Sequence, residues 1–205
     1  TLSGAGATTY IWDNGISDGV LFTPSTTTLY TVTGTDANGC SASDTVSIDV
    51  WNLPLVDAGA DQAVCDGDQA TLSGSGATSY TWDNSVLDGV AFTPLSIATY
   101  TVTGTDGNGC VSSDQVEVSL NALPTVSAGT DVSVCTGDSA ILNGSGAVSY
   151  IWDNGIMDGV HFIPVAANTY TVTGTDGNGC ANTDQVDVTL NSLPTVGAGA
   201  DQTVC

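Results

Sequence analysis

The eleven residues YTVTGTDGNGC run from 100 to 110 and again, unchanged, from 170 to 180; at 30–40 they return as YTVTGTDANGC. Cys40, Cys110 and Cys180 stand 70 residues apart, and so do Cys65, Cys135 and Cys205. Trp12, Trp82 and Trp152 keep the same phase, as do Phe22, Phe92 and Phe162. A fixed period of this kind marks an array of like units, not the single domain that 205 residues would otherwise suggest. The units are module 1 (residues 1–52, lacking its first strand), module 2 (53–122) and module 3 (123–192). Residues 193–205 read as the first strand of a following module. A unit of about 70 residues lies near the lower limit for a self-sufficient core, where covalent staples help.

Within each unit the dominant periodicity is two. In TYTVTGT (99–105) Tyr100, Val102 and Gly104 share one face and threonines line the other, the pattern of a half-buried strand. DQVEVSL (114–120) places Val116, Val118 and Leu120 inward in the same way. Asn108-Gly109 between them predicts a tight hairpin turn. Asn14-Gly15 and Asn154-Gly155 look similar, whereas module 2 has Asn84-Ser85, which weakens the case for a positive-φ turn there. Module 2 therefore reads as strands near 56–58 with 61–64, 70–75, 79–83, 90–93, 99–106 and 111–120, and no stretch reads as helix. Short strands at regular spacing predict an all-β fold of tandem immunoglobulin-like sandwiches. Leu72, Tyr80, Trp82, Val90, Phe92, Tyr100, Val102, Val116 and Val118 are the expected core. Trp51 replaces the linker residues Asn121 and Asn191 and is expected to cover a junction between modules.

Charge excludes several partners. The chain has no Lys or Arg against 22 acidic residues, a formal net charge of −22. Nucleic-acid binding needs cations to neutralise phosphates, and an anionic membrane surface would repel this chain. No apolar run approaches the roughly 18 residues of a spanning helix. Aspartates in turns and on solvated surfaces explain the acidity, with calcium at clustered loop carboxylates as the sharper alternative. TDGNG and CDGDQ offer only fragments of a calcium site, and nothing matches an EF-hand loop. No cofactor is expected.

Nor is an enzyme. The single histidine, His161, replaces Leu21 and Ala91 at the matching positions, so it reads as strand surface. No Cys-x-x-Cys is present to suggest zinc. The acid pair Asp66/Asp68 loses its first member in the next copy, where the turn reads TGDSA.

The stretch AGADQAVCDGDQATLSGSGATSYTWDN, followed by TYTVTGTDGNGCVSSDQVEV, resembles the PKD-like and Ig-like repeats of giant surface proteins of the Bacteroidota. That resemblance covers essentially the whole chain. It implies an extracellular or cell-surface location, export by the type IX pathway, and relatives among adhesins and gliding-associated proteins. The cysteine pair and the missing Gly-Asp-Gly after WD depart from the PKD pattern. Thr45 in DTV and Ser139 in DSA resemble the Asp-Ser/Thr-aliphatic O-glycosylation signal of the same group.

Six cysteines in an extracellular repeat read as disulfides. Pairing Cys65 with Cys110 and Cys135 with Cys180 would staple each module to itself, which one cysteine of each kind per copy favours. Pairing Cys65 with Cys180 would instead join consecutive modules. If these stack end to end, it would meet the requirement that bridged Cα atoms lie within about 7 Å. The within-module pairing is the expected one. The expected function is a structural fibre or rod whose partner is itself, head to tail; an adhesive module for glycan or ice is the alternative. If the chain is a slice of a longer array, covalent neighbours complete both ends. If it is a subunit, residues 193–205 are expected to enter the next copy's module 1, with Cys205 near the neighbour's Cys40.

Overall fold

A computed structural model describes residues 1–203 and 205. Module 1 is a three-stranded antiparallel sheet of β1 (Thr9–Trp12), β2 (Thr28–Thr35) and β3 (Ser41–Ile48), in that order. Module 2 contains β4 (Gln62–Cys65), β5 (Ala70–Thr71), β6 (Ser79–Trp82), β7 (Ala91–Phe92), β8 (Ala98–Thr105) and β9 (Val111–Asn121). Its main sheet has the order β4-β9-β8-β6; β5 and β7 form a second sheet. Module 3 repeats the main sheet as β10-β13-β12-β11, from β10 (Val132–Cys135), β11 (Ser149–Trp152), β12 (Asn168–Thr175) and β13 (Ala181–Asn191). The bridge Ala140↔Phe162 stands where module 2 has β5 and β7. Among the described residues the one helical element is a 3₁₀ turn, Asp153–Gly155.

The opening segment of a module serves both sheets. Asp57 bridges antiparallel to Ser75, Gly59 takes φ +82°, and β4 then pairs parallel with β9, Gln62 opposite Val118. Ser127, Gly129 (φ +84°) and β10 do the same in module 3. A side chain at the crossing would strain the left-handed backbone, so glycine stands there. This switch of the first strand between sheets, with a β-hairpin forming the sheet centre, is an Ig-like arrangement.

Contacts divide the chain into two compact units. The first comprises Thr1–Gly59, Ser73–Asp88 and Thr101–Gln115; the second comprises Ala60–Leu72, Gly89–Tyr100 and Val116–Cys205. Trp12, Tyr30, Ala58, Trp82 and Val102 are buried in the first. Leu72, Tyr100, Val116 and Val118 are buried in the second, along with a module 3 cluster centred on Leu142, Trp152, Val172, Val186 and Val188.

Several expectations need correcting. Val90 is exposed, because β7 begins one residue later and leaves it in the preceding loop. Tyr80 and Phe92 are half-buried at the margin of the core. The Tyr80 hydroxyl donates to the Ala77 carbonyl and accepts the Ala77 N–H, both at 2.7 Å, while Phe92 packs on Tyr100 with ring centroids 5.2 Å apart. Trp51 is 58% exposed. The β8–β9 hairpin is longer than an Asn-Gly turn. Gly109 N–H meets the Asp106 carbonyl at 3.2 Å, Asp106 N–H meets the Cys110 carbonyl at 3.0 Å, and at this turn only Gly109 has positive φ. That is a type I turn closed by a left-handed glycine, which the Asp106 carboxylate secures by accepting the N–H groups of Asn108 and Cys110. Ser85, conversely, keeps the positive φ (+62°) that Gly15 and Gly155 hold in the sister modules.

Candidate functional site

Two features stand out: a disulfide joining consecutive modules, and an open groove along module 1. Cys65 ends β4 of module 2, and its sulfur is bonded to that of Cys180, which precedes β13 of module 3, with Cα atoms 5.5 Å apart. Cys180 is fully buried by the contact. The within-module pairing is therefore not the one formed. Module 3 shows why: Cys135 lies opposite Asn191, the last residue of β13, whereas Cys180 immediately precedes its first. Eleven strand residues at about 3.3 Å each separate the two cysteines by on the order of 35 Å, far beyond disulfide reach. Cys40, Cys110, Cys135 and Cys205 carry free thiols; Cys40 and Cys205 are exposed.

The groove runs along the sheet of module 1. In module 2 the segment 55–58 lies along the sheet: the Val56 side chain covers Gly104, and a Cβ on Gly76 would run into the Leu55 carbonyl. The Ala58 N–H donates to the Asp114 carboxylate at 2.9 Å. Module 3 repeats each contact with Val126 over Gly174, the Thr125 carbonyl at Gly146, and Ala128 N–H to Asp184 at 2.8 Å. These N–H groups, followed by those of Gln115 and Gln185, hold the Asp114 and Asp184 carboxyls below the usual carboxylate range. The matching residues of module 1 are Gly34, Gly6 and Asp44. Gly6 has open space where Gly76 has the Leu55 carbonyl, and Gly34 and Asp44 line a groove of about 680 Å³ floored by Trp12, Val32 and Val46.

A structural carboxylate escaped the sequence reading. Asp18, Asp88 and Asp158 each accept the indole N–H of the Trp six residues earlier, at 2.8, 2.9 and 2.8 Å. The same oxygens accept the N–H of Gly4, Gly74 and Gly144. The Trp12 indole, then the Gly4 N–H, lowers the Asp18 carboxyl from its ordinary value, and the Cys40 N–H does so for Asp36. The signal was the constant Trp-to-Asp spacing in all three copies, WDNxxxD.

Other singled-out residues are dispersed. Thr45 is exposed on β3 and lines the groove; Ser139 is exposed, its hydroxyl 3.4 Å from Nδ1 of the exposed His161. Among the described residues no three His, Cys, Asp or Glu side chains are placed to hold a metal ion. Among the described residues no helix is long and apolar enough to cross a membrane.

No protein-family model matches the chain, and no curated protein matches it. Among solved structures it is similar to Sidekick-1 immunoglobulin domains 1–5, with 14% identity over 90% of this chain and 52% of that one, at a TM-score of 0.32. It is similar to the insect immune protein hemolin, with 14% identity over 80% of this chain and 56% of that one, at a TM-score of 0.35. It also matches the N-terminal eight Ig domains of Down Syndrome Cell Adhesion Molecule, with 14% identity over 90% of this chain and 32% of that one, at a TM-score of 0.32. The chain thus spans about half the length of the first two. The strand order itself defines the class: tandem Ig-like β-sandwiches.

Proposed function

We propose that this chain is a non-enzymatic structural segment of an extracellular fibre or rod, held at a bacterial surface and associating head to tail. The observation that carries the reading is the Cys65–Cys180 disulfide, which ties the end of one module to the hairpin end of the next. A staple at that place limits bending between modules, which a spacer or fibre needs and an independent binding domain does not. Complete lack of Lys and Arg leaves trypsin-like proteases no site, which suits a protein outside the cell. The role needs no cofactor; a melting temperature raised by calcium would bring one in. Small-angle scattering of the native chain and of Cys65→Ser tests the reading. The native chain is expected to give the distance distribution of a stiff rod and the variant a broader, shorter one. A native distribution already that of loosely tethered beads would overturn it.

A second reading, an adhesive module for glycan or ice, is favoured by paired hydroxyls on β2 and β3. Thr33 faces Ser43 at 3.0 Å and Thr35 faces Ser41 at 3.1 Å. Glycan arrays and ice-recrystallisation assays that stay blank would remove it. Glycans on Thr45 or Ser139, from the Bacteroidota resemblance, are checked by intact mass.

A further inference from the structure

We propose that the Cys65–Cys180 disulfide is a tension bypass: a pull along the chain passes from β4 through the bond into β13, and residues 66–179 carry none of it while the bond is intact. The inference rests on the fibre or rod reading, which supplies the tension, and adds the path that the tension takes.

The path follows from where the two cysteines stand in their strands. Cys65 is the last residue of β4, and Cys180 immediately precedes β13. Their Cα atoms are 5.5 Å apart across a sequence separation of 115. Tension arriving from before Gln62 therefore runs along β4, crosses one covalent bond and leaves along β13 to Asn191. Past Asn191 come residues 192–203, which belong to no strand; Val204 lies outside the described residues. Everything between the cysteines hangs on the path as a closed loop, which holds β5 to β12 and the buried Leu72, Trp82, Tyr100, Leu142 and Trp152. The loaded strands suit the part. β13 lies between β10 and β12, bonded on both sides, with Val186 and Val188 buried. β4 is an edge strand of four residues paired only with β9, but stripping it frees no part of the loop, because Cys65 stays tied to Cys180.

Without the bond the same pull must cross the modules themselves. In module 2 the first strand, β4, and the last, β9, run parallel, from Gln62 opposite Val118 to Cys65 opposite Asn121. Parallel first and last strands put the chain's entry and exit at opposite poles, so tension loads their evenly spaced hydrogen bonds together, in shear. β10 and β13 repeat the arrangement in module 3. Once both clamps have slipped, 115 steps at roughly 3.3–3.6 Å each add about 400 Å of chain. Folding in turn guards the bond. Cys180 is fully buried and Cys65 half-buried, so a reductant reaches the sulfurs only when the hairpin end of module 3 opens. A dithiol then gives the bond two electrons and two protons and leaves as a cyclic disulfide.

The test pulls the full chain in optical tweezers by peptide tags at its two ends, with the four free thiols alkylated so that they form no other bridge. The oxidised chain is compared with the same chain reduced by dithiothreitol and with Cys65→Ser, which is unbridged without reductant. Module 1 lies outside the loop and lengthens in every form. The fully stretched oxidised chain is expected to be about 400 Å shorter than either unbridged form, with no step from modules 2 and 3. Should the variant not fold, the reduced native chain carries the comparison alone. An oxidised chain that gains the full loop length overturns the bypass and leaves the rod reading standing. Unbridged forms no longer than the oxidised chain overturn it too. Scattering of loosely tethered beads overturns the rod alone, and the length difference then still assigns the path.

Discussion

Module 1 and its two sisters share nearly the same strands yet bury them differently. Val46 is 37% exposed, whereas Val116 and Val186, at the same place in the repeat, are 1% exposed. Val32 is half-buried, whereas Val102 and Val172 are fully buried. Neither the hairpin nor its register differs: β2 pairs with β3 as β12 pairs with β13. What differs is the first segment, residues 55–65 in module 2 and 125–135 in module 3, laid across one side. Alternation along the hairpin determines which side chains point inward, but a strand from before the hairpin decides whether inward means buried. Removing apolar area from water is worth about 25 cal/mol per Å², so this one segment sets much of a module's stability.

The largest test of that comparison uses the paired glycines. Gly76→Ala should cost more than about 3 kcal/mol, since its Cβ would meet the Leu55 carbonyl at a left-handed φ; Gly6→Ala, in open space, should cost only the backbone strain of about 1 kcal/mol. Equal losses by denaturant unfolding would show that the first segment contributes nothing at Gly76. Next in size, Val116→Ala should lose about 2.5 kcal/mol and Val46→Ala less than about 1 kcal/mol, reflecting cavity formation in one module and a wet groove in the other. Chemical denaturation followed by Trp fluorescence reads both, and a similar loss at Val46 would mean that its groove is covered in solution.

Ser85→Gly should stabilise module 2 by about 1 kcal/mol, relieving the positive φ that modules 1 and 3 already give to glycine. A destabilised variant would show that the serine side chain, not the backbone, matters there. Smallest is the acid limb. Asp114 and Asp184 are held below the ordinary carboxylate value by the N–H groups of the first segment. A carboxyl lowered in the folded state contributes stability above its unfolded pKa of about 3.9, and that contribution is lost as pH falls through the lower folded value. Asp114→Asn should flatten this acid dependence of the melting temperature; an unchanged slope would assign it to other carboxylates.

The repeat, the strands and most of the core were legible because each is written locally. A period of 70 residues, alternation of two and Asp/Gly turns need no knowledge of distant partners. Even the Trp82–Asp88 bond was written within six residues, though nothing but its repetition marked it. Val90 was misplaced because strand ends depend on which neighbour offers a hydrogen bond, and β7 pairs for only two residues with β5. The cysteines lay furthest from the sequence's reach. Counting cysteines per copy pointed within a module, but parallel pairing of β10 along β13 carries Cys135 to the end of the sheet away from Cys180. Sequence alone determined that this chain is an array of sandwiches with no cation to offer. Only the tertiary structure decided that its staple runs between modules, because that depends on which end of a strand meets which neighbour in space.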